Sequence, residues 1–451
     1  MENLTQKLEQ YMDMWFEADR FSGTVLISQG ENILLSKGYG YANHEHSIPN
    51  TPTTIYKIGS ITKQFTAASI LQLCERNMLS LDDLIIKFIP GYKYADKITV
   101  HNLMSYTSGI PSYTDFPEYS TRAKITVDTV IEWLNERRLN FNPGENIDKS
   151  NSDYILLANI VELVSGMEIE AYYEKYIFKP LGMKNSGVCR NEDIIKNIAY
   201  GYSCSGEGIV NAEFYDMTGA YGSGFMYSNA YDLLKWARVL ERGEVINSEL
   251  YEKMITPYGY LWYFGASIGY GCFVNGNPVG EILTDGNICG YTCSVQHYLK
   301  NDIIVIVLSN NDATPIGRIV KGIKGILLNE VHHVEIRPVT VGNIDYGKYK
   351  HLAGKYHFPP TGWWFNIRFE DGELNVDRLF IQEYKRKKFK LNLVSDSGEQ
   401  CVFACENCDS KFIFSKATDG NADRVIYSWD TLDLPYERME GYIEHFGEAT
   451  L

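Results

Sequence analysis

Positive charge is in short supply: 42 Lys and Arg residues face 57 Asp and Glu in a chain of 451, a formal net charge of −15. A surface that repels phosphate on average suits neither nucleic acid nor an anionic membrane, so neither is expected as a partner. The densest basic run, Lys385-Arg386-Lys387-Lys388, reads as a solvated strand or turn. Long apolar runs are missing too. The most apolar stretch, Ile303 to Leu308, suits a buried strand and falls far below the roughly 18 residues of a membrane helix. Residues 1–20 mix apolar with charged positions and hold no unbroken apolar core, so no signal peptide is expected and the protein is expected to be cytoplasmic. Nine cysteines, an odd number at irregular spacing, argue for free thiols over a disulfide framework. Only Cys401, Cys405 and Cys408 cluster, and three sulfurs without a nearby fourth ligand are a weak zinc signal. There is no internal repeat, low-complexity tract, glycine-rich phosphate loop, His-Glu-x-x-His or paired-carboxylate pattern. Neither a metal nor a nucleotide cofactor is implied.

What is present is an ordinary globular composition, 45% apolar and 22% charged, which should fold. At this length a single core stops growing, and two domains, one large and one small, are expected. Phe21–Ser28 and Ile33–Tyr41 are apolar-rich runs split by Gln29-Gly30-Glu31-Asn32, the pattern of a hairpin. From Lys63 onward, Ala67, Ile70, Leu71, Cys74 and Met78 recur at helical spacing and predict a helix that begins close to Ser60 and buries one face. The stretch from Leu81 to Glu241 reads mostly as helices and loops, clearest at Tyr154–Val164 and Asn229–Leu240. Tyr291–Tyr298 and Ile303–Leu308 predict a second hairpin, and Ile316, Ile319, Val320, Ile323 and Leu327 a closing helix.

Strands first, helices in the middle, then strands and a helix: this order predicts an α/β (α+β) fold over residues 1–332, an antiparallel sheet flanked by helices with a helical insert. His333 to Asn343 lacks periodicity and predicts a linker over 333–344. Beyond it, in residues 345–451, short strand-like runs at Trp363–Phe369, Glu373–Arg378, Phe389–Val394, Val402–Ala404, Phe412–Ser415 and Arg424–Trp429 predict a small all-β barrel or sandwich.

For chemistry, Gly59-Ser60-Ile61-Thr62-Lys63 is the strongest local signal, because Ser60 and Lys63 stand three apart at a helix start and lie on one face. A serine nucleophile needs a base. A lysine within reach in a partly desolvated pocket can lose its proton and serve, while the helix N-terminus favours the developing negative charge. Alone, the pair reads first as an N-cap serine beside a surface lysine, since a Ser-x-x-Lys string occurs by chance in many proteins. The wider run Ile55-Tyr56-Lys57-Ile58-Gly59-Ser60-Ile61-Thr62-Lys63-Gln64-Phe65-Thr66 closely resembles the nucleophile segment of the serine β-lactamase and penicillin-binding-protein superfamily, in its class C and esterase-like branch. Leu103 to Pro111, Pro143-Gly144-Glu145, Phe178 to Met183, Ser223 to Ser228 and Asp232 to Trp236 resemble further landmarks of that family, in order, so the resemblance covers about residues 15–330. Leu352-Ala353-Gly354-Lys355-Tyr356 with Trp363-Trp364 resembles, more weakly, the lipocalin-like barrel that some members carry. For that barrel, packing against or covering the catalytic domain is expected over binding an apolar ligand.

The resemblance implies that Ser60 is the nucleophile and Lys63 its base. The family's second motif, Tyr-x-Asn, matches Lys149-Ser150-Asn151: the asparagine that orients substrate is kept, and the proton-shuttling tyrosine is replaced by lysine. The third motif, Lys or His, a small residue, then Gly, matches Thr284-Asp285-Gly286, with the cation missing and the glycine kept. The oxyanion hole maps to the backbone N–H groups of Ser60 and Asn287. The departures are complementary, a hydroxyl moving to the third motif and a cation to the second. If Lys149 and Thr284 face Ser60, one hydroxyl and two lysines remain, enough for acyl transfer. One reading is therefore a serine hydrolase forming a Ser60 acyl-enzyme on an ester, amide, D-amino-acid peptide or β-lactam, with Lys149 as proton relay or fixed cation. The other is a disarmed relative that binds or slowly acylates without efficient turnover. A histidine triad finds no support: His44, His46 and His297 lack a matching context and are expected to be structural or exposed. The expected partner is a small-molecule or short-peptide substrate, and the oligomeric state is open.

Overall fold

A computed structural model describes residues 2–205, 208–330, 340–342, 344–358, 363–378, 387–405, 410–415, 424–429 and 432–438. The chain divides into two compact units, one of Met1–Ser203 with Asn211–His333, the other of Cys204–Val210 with Val334–Leu451. The linker expected at 333–344 lies mostly outside the described residues, as do Cys408 and Lys385-Arg386.

The first unit opens with helix α1 (Glu2–Glu17). Its Leu8, Tyr11, Met12 and Trp15 fall at i, i+3, i+4 and i+7 and are buried, a helical period inside the mixed apolar and charged start. The hairpin β1 (Gly23–Gln29) and β2 (Asn32–Tyr39) follows as expected. Helix α2 (Thr62–Glu75) starts within two residues of Ser60, but Thr62 through Leu73 are all buried. It is enclosed on every side, not on one face as the apolar spacing suggests. Polar residues survive there because they are bonded: Thr66 Oγ1 donates to the Gly222 carbonyl (2.7 Å) and Gln72 Nε2 to the Val245 carbonyl (3.1 Å). Met78 lies past the helix end and is 43% exposed.

Helix α3 (Asn151–Ser165) is set by its ends, with Ser150 accepting from the Ser152 N–H and Gly166 in the left-handed conformation. Asn229 caps α4 (Ala230–Glu241) in the same way, accepting from the Asp232 N–H. The middle of the chain is not helices and loops alone. Tyr56–Lys57, Met226–Ser228 and Gly187–Val188 pair into a small three-stranded sheet.

Six later strands complete the large sheet: β3 (Gly259–Leu261), β4 (Ala266–Ile268), β5 (Phe273–Asn275), β6 (Glu281–Ile288), β7 (Tyr291–Tyr298) and β8 (Ile303–Ser309). Their order is β3-β4-β5-β6-β7-β8-β1-β2, antiparallel throughout, and the two ends of the unit meet where Gly23 pairs with Ser309 and Gln29 with Ile303. Every residue of β7 and β8 is buried, so the sheet centre is covered on both faces and β8 reads as an unbroken apolar run. The closing helix α5 (Ile316–Leu328) packs on α1, and the Tyr11 hydroxyl reaches the carbonyls of Arg318 and Ile319 at 3.2 Å each. Among the described residues no helix is long and apolar enough to cross a membrane.

The second unit contains a closed eight-stranded barrel: β9 (Gly354–Phe358), β10 (Trp363–Glu370), β11 (Glu373–Arg378), β12 (Lys387–Asp396), β13 (Gln400–Cys405), β14 (Ser410–Ser415), β15 (Arg424–Trp429) and β16 (Leu432–Arg438). Closure comes from β9 and β16, which the strand-like runs do not include, and it decides for barrel over sandwich. Phe365 stands 5.0 Å from Phe412 and 4.7 Å from Tyr436, ring centre to ring centre, so aromatic side chains fill that part of the barrel.

Candidate functional site

Ser60 sits in the helical turn Gly59–Ile61 that leads into α2. Two glycines let this turn and β6 meet backbone to backbone. Gly59 takes the left-handed conformation (φ 50°), and a Cβ there would stand 2.8 Å from the Asn287 nitrogen. A Cβ on Gly286 would stand 1.9 Å from the Ile58 carbonyl oxygen and 3.0 Å from the Ser60 nitrogen. The amide nitrogens of Ser60 and Asn287 therefore meet at one junction, the arrangement in which two N–H donors can share an oxyanion.

Lys63, one turn along, is 2% exposed. Its Nζ lies 2.9 Å from Ser60 Oγ and donates to the Ser223 carbonyl at 2.7 Å, with the Tyr154 ring 5.9 Å away. Burial holds this amine well below the usual lysine range, and the nearby charge of Lys149 pushes the same way. The Ser223 carbonyl has no side-chain signal in the sequence; the Ser223–Ser228 segment shows only as a family landmark.

Lys149 is half-buried just before α3. Its Nζ lies 5.2 Å from the centre of the Phe264 ring and 5.5 Å from that of Phe273. Burial lowers its affinity for a proton, and the Asp285 carboxylate opposes that shift. Asp285 is pushed up by burial and pulled back by Ser294 and Lys149. Its Oδ1 is shut off from solvent without a hydrogen-bond partner. Lys149 thus interacts electrostatically with both Lys63 and Asp285. Thr284 and Gly286 alternate with Asp285 along β6 and share the buried face that meets Ile58 and Ser60. Asn151 opens α3, its Nδ2 donating to Thr114 Oγ1 and its N–H to Ser112 Oγ, both at 3.3 Å.

Phe264, Phe273 and Asp285 carry no signal in the sequence as neighbours of Lys149, because only the turn after β3 and the pairing of β5 with β6 bring them there. His297 is buried on β7 with Nε2 3.5 Å from Glu241 Oε2, and burial pushes it down to about 4, so it is neutral. His44 packs edge-on against Tyr202 at 4.7 Å, and His46 is exposed. Among the described residues no group of three or more His, Cys, Asp or Glu is arranged to hold a metal ion.

Residues 4–321 match the family model described as Beta-lactamase. The chain is 32% identical over 305 residues to PbpX of Bacillus subtilis, whose name puts it among the penicillin-binding proteins; the match covers 68% of this chain and 73% of that one. It is 26% identical over 300 residues to the teichoic acid D-alanine hydrolase of Staphylococcus aureus, covering 66% of this chain and 72% of the relative. Of solved structures, the octameric penicillin-binding protein homologue from Pyrococcus abyssi is similar with a TM-score of 0.65 at 26% identity, over 95% of this chain and 99% of that one. With the family match running from α1 through the Ser60 turn into α5, the chain belongs to the beta-lactamase family of serine hydrolases and penicillin-binding proteins.

Proposed function

We propose that this chain hydrolyses an ester or amide through a Ser60 acyl-enzyme. The observation that carries the reading is the buried Lys63 amine, 2.9 Å from Ser60 Oγ and anchored by the Ser223 carbonyl. An amine whose hold on its proton is weakened by burial can offer a lone pair to the Ser60 hydroxyl while one of its own N–H groups stays with Ser223. Lys63 takes the hydroxyl proton as Oγ attacks the substrate carbonyl carbon. The tetrahedral oxyanion lies between the N–H groups of Ser60 and Asn287, the proton passes to the leaving oxygen or nitrogen, and water then cleaves the acyl-enzyme. Asn151 orients the substrate, and Lys149 supplies positive charge beside the base. Residues from about 345 onward form a separate β domain.

The third motif favours substrates without a carboxylate on the leaving side. The family pattern has a cation there; this chain has the uncharged Thr284. An alanyl ester is the first compound to assay, in view of the relative named a D-alanine hydrolase. The second reading, a disarmed relative, draws on Lys149 in place of the shuttling tyrosine. A chromogenic ester separates the two: a burst of one product per chain followed by steady release fits the hydrolase, and a burst that stops fits the disarmed protein. Release that continues unchanged in Ser60→Ala removes the acyl-enzyme from both.

A further inference from the structure

We propose that Phe264 and Phe273 are positioning residues that hold Lys149 as a fixed cation, so that Lys63 alone exchanges a proton with Ser60. The proposal deepens the hydrolase reading and rests on it. An aromatic face attracts an ammonium and gains nothing from a neutral amine, and the effect reaches to about 6 Å from the ring centre. Lys149 Nζ has two such faces, at 5.2 Å and 5.5 Å. The rings form a corner, 5.2 Å between centres and inclined at 39°.

The corner is fastened to the segment that carries the lysine. Phe273 is fixed by its pairing with Leu283 of β6. Phe264 follows Tyr263, whose hydroxyl donates to Asp148 Oδ1 at 3.0 Å, and Asp148 precedes Lys149 in the chain. At the base of the same turn Gly259 meets Ile147 so closely that a Cβ would stand 2.9 Å from Ile147 Cδ1. The rings and the ammonium therefore keep their registry.

Among the described residues, the charged and titratable groups that act on Lys149 or its backbone are Lys63 from α2, Asp285 from β6, and Asp148 and Tyr263 beside it; Asp153 of α3 acts on Asp148, and Tyr154 of α3 lies by Lys63. The two rings and Asp285 favour a protonated Lys149, against burial. Lys63 has one ring at the edge of that reach, Tyr154 at 5.9 Å, with burial and the Lys149 charge both working against its proton. On this proposal the coupled pair, as pH rises, loses its first proton from Lys63 and its second from Lys149. The active form lies between the two losses.

The test is the pH profile of Ser60 labelling by a serine-directed phosphonate, paired with an NMR titration of the lysine side chains, which needs no activity. The parent gives a bell, rising with Lys63 and falling with Lys149. In Phe264→Leu the falling limb moves down by roughly half a unit to one and a half units, the size of one lost cation–ring contact. In Phe264→Tyr it stays. Lys149→Arg keeps the charge at every pH, so the falling limb disappears from whatever labelling the variant shows. A uniform loss of rate in Phe264→Leu with unmoved limbs and an unmoved Lys149 titration would reduce the ring to a structural part. Loss of labelling in folded Lys149→Arg would make Lys149 a proton relay. Both results overturn the proposal. If the parent is never labelled, the hydrolase reading falls, and the NMR order of the two lysines still decides the positioning claim.

Discussion

Gly286→Ala probes the junction on which the site depends. The added Cβ would start 1.9 Å from the Ile58 carbonyl oxygen, where contacts under 3.0 Å are essentially never seen, so the turn and β6 must separate by roughly an ångström. The obstacles are backbone atoms at Ile58 and Ser60, which cannot rotate away as a side-chain tip would. Overpacking of this kind costs about 1–3 kcal/mol of stability, which leaves a folded protein. Its larger effect falls on the oxyanion donors: a displaced N–H is worth about 3 kcal/mol in the transition state, or roughly 10²- to 10³-fold in rate. The assay is the second-order rate of phosphonate labelling of Ser60, with thermal unfolding alongside. Gly91→Ala is the control, since nothing lies within 4 Å of a Cβ there. Gly286→Ala labelling at the parental rate, with a parental melting temperature, would refute the close approach and the oxyanion assignment with it.

Lys63→Met should abolish labelling and flatten the pH dependence of stability. The buried amine binds a proton more weakly folded than unfolded, so the parent gains stability as pH rises from the folded Lys63 value toward about 10.4, by at most about 1.4 kcal/mol per unit, and the variant lacks that slope; urea midpoints at several pH values read it. Lys149→Tyr with Thr284→His should shift preference toward carboxylate-bearing β-lactams, because a cation returns to β6; unchanged relative acylation rates for a penicillin and a neutral ester would contradict this. Limited proteolysis should nick the chain between about 333 and 350 and leave a resistant β fragment, if the stretch without periodicity is a linker; a uniformly resistant chain would mean that it is packed down.

The fold was legible wherever a strand or helix kept one environment along its length. Ile303–Leu308, covered on both faces, reads as a strand from composition alone, and α5 shows its period because one face of it meets α1. The sequence was less informative where elements are short or enclosed. β3, β4 and β5 have three residues each, too few for alternation to register. α2 is buried all round, so the apolar spacing marks its existence and not its surroundings. In the site, Ser60, Lys63 and Gly286 were readable because spacing or a glycine carries their meaning. Lys149 was readable only as a departure from a pattern. Of its neighbours, Phe273 and Asp285 are brought to adjacent strands by the pairing of β5 with β6, and Phe264 comes from the turn between β3 and β4, long-range events that leave no mark in any local window.

The central claim is that Ser60, activated by Lys63, forms the covalent intermediate. Intact-protein mass after incubation with a serine-directed phosphonate, followed by peptide mapping, tests it directly. One added label per chain is expected, on Ser60, absent in Ser60→Ala and abolished in Lys63→Met. A label that persists undiminished in Ser60→Ala, or that maps to another serine, would contradict it.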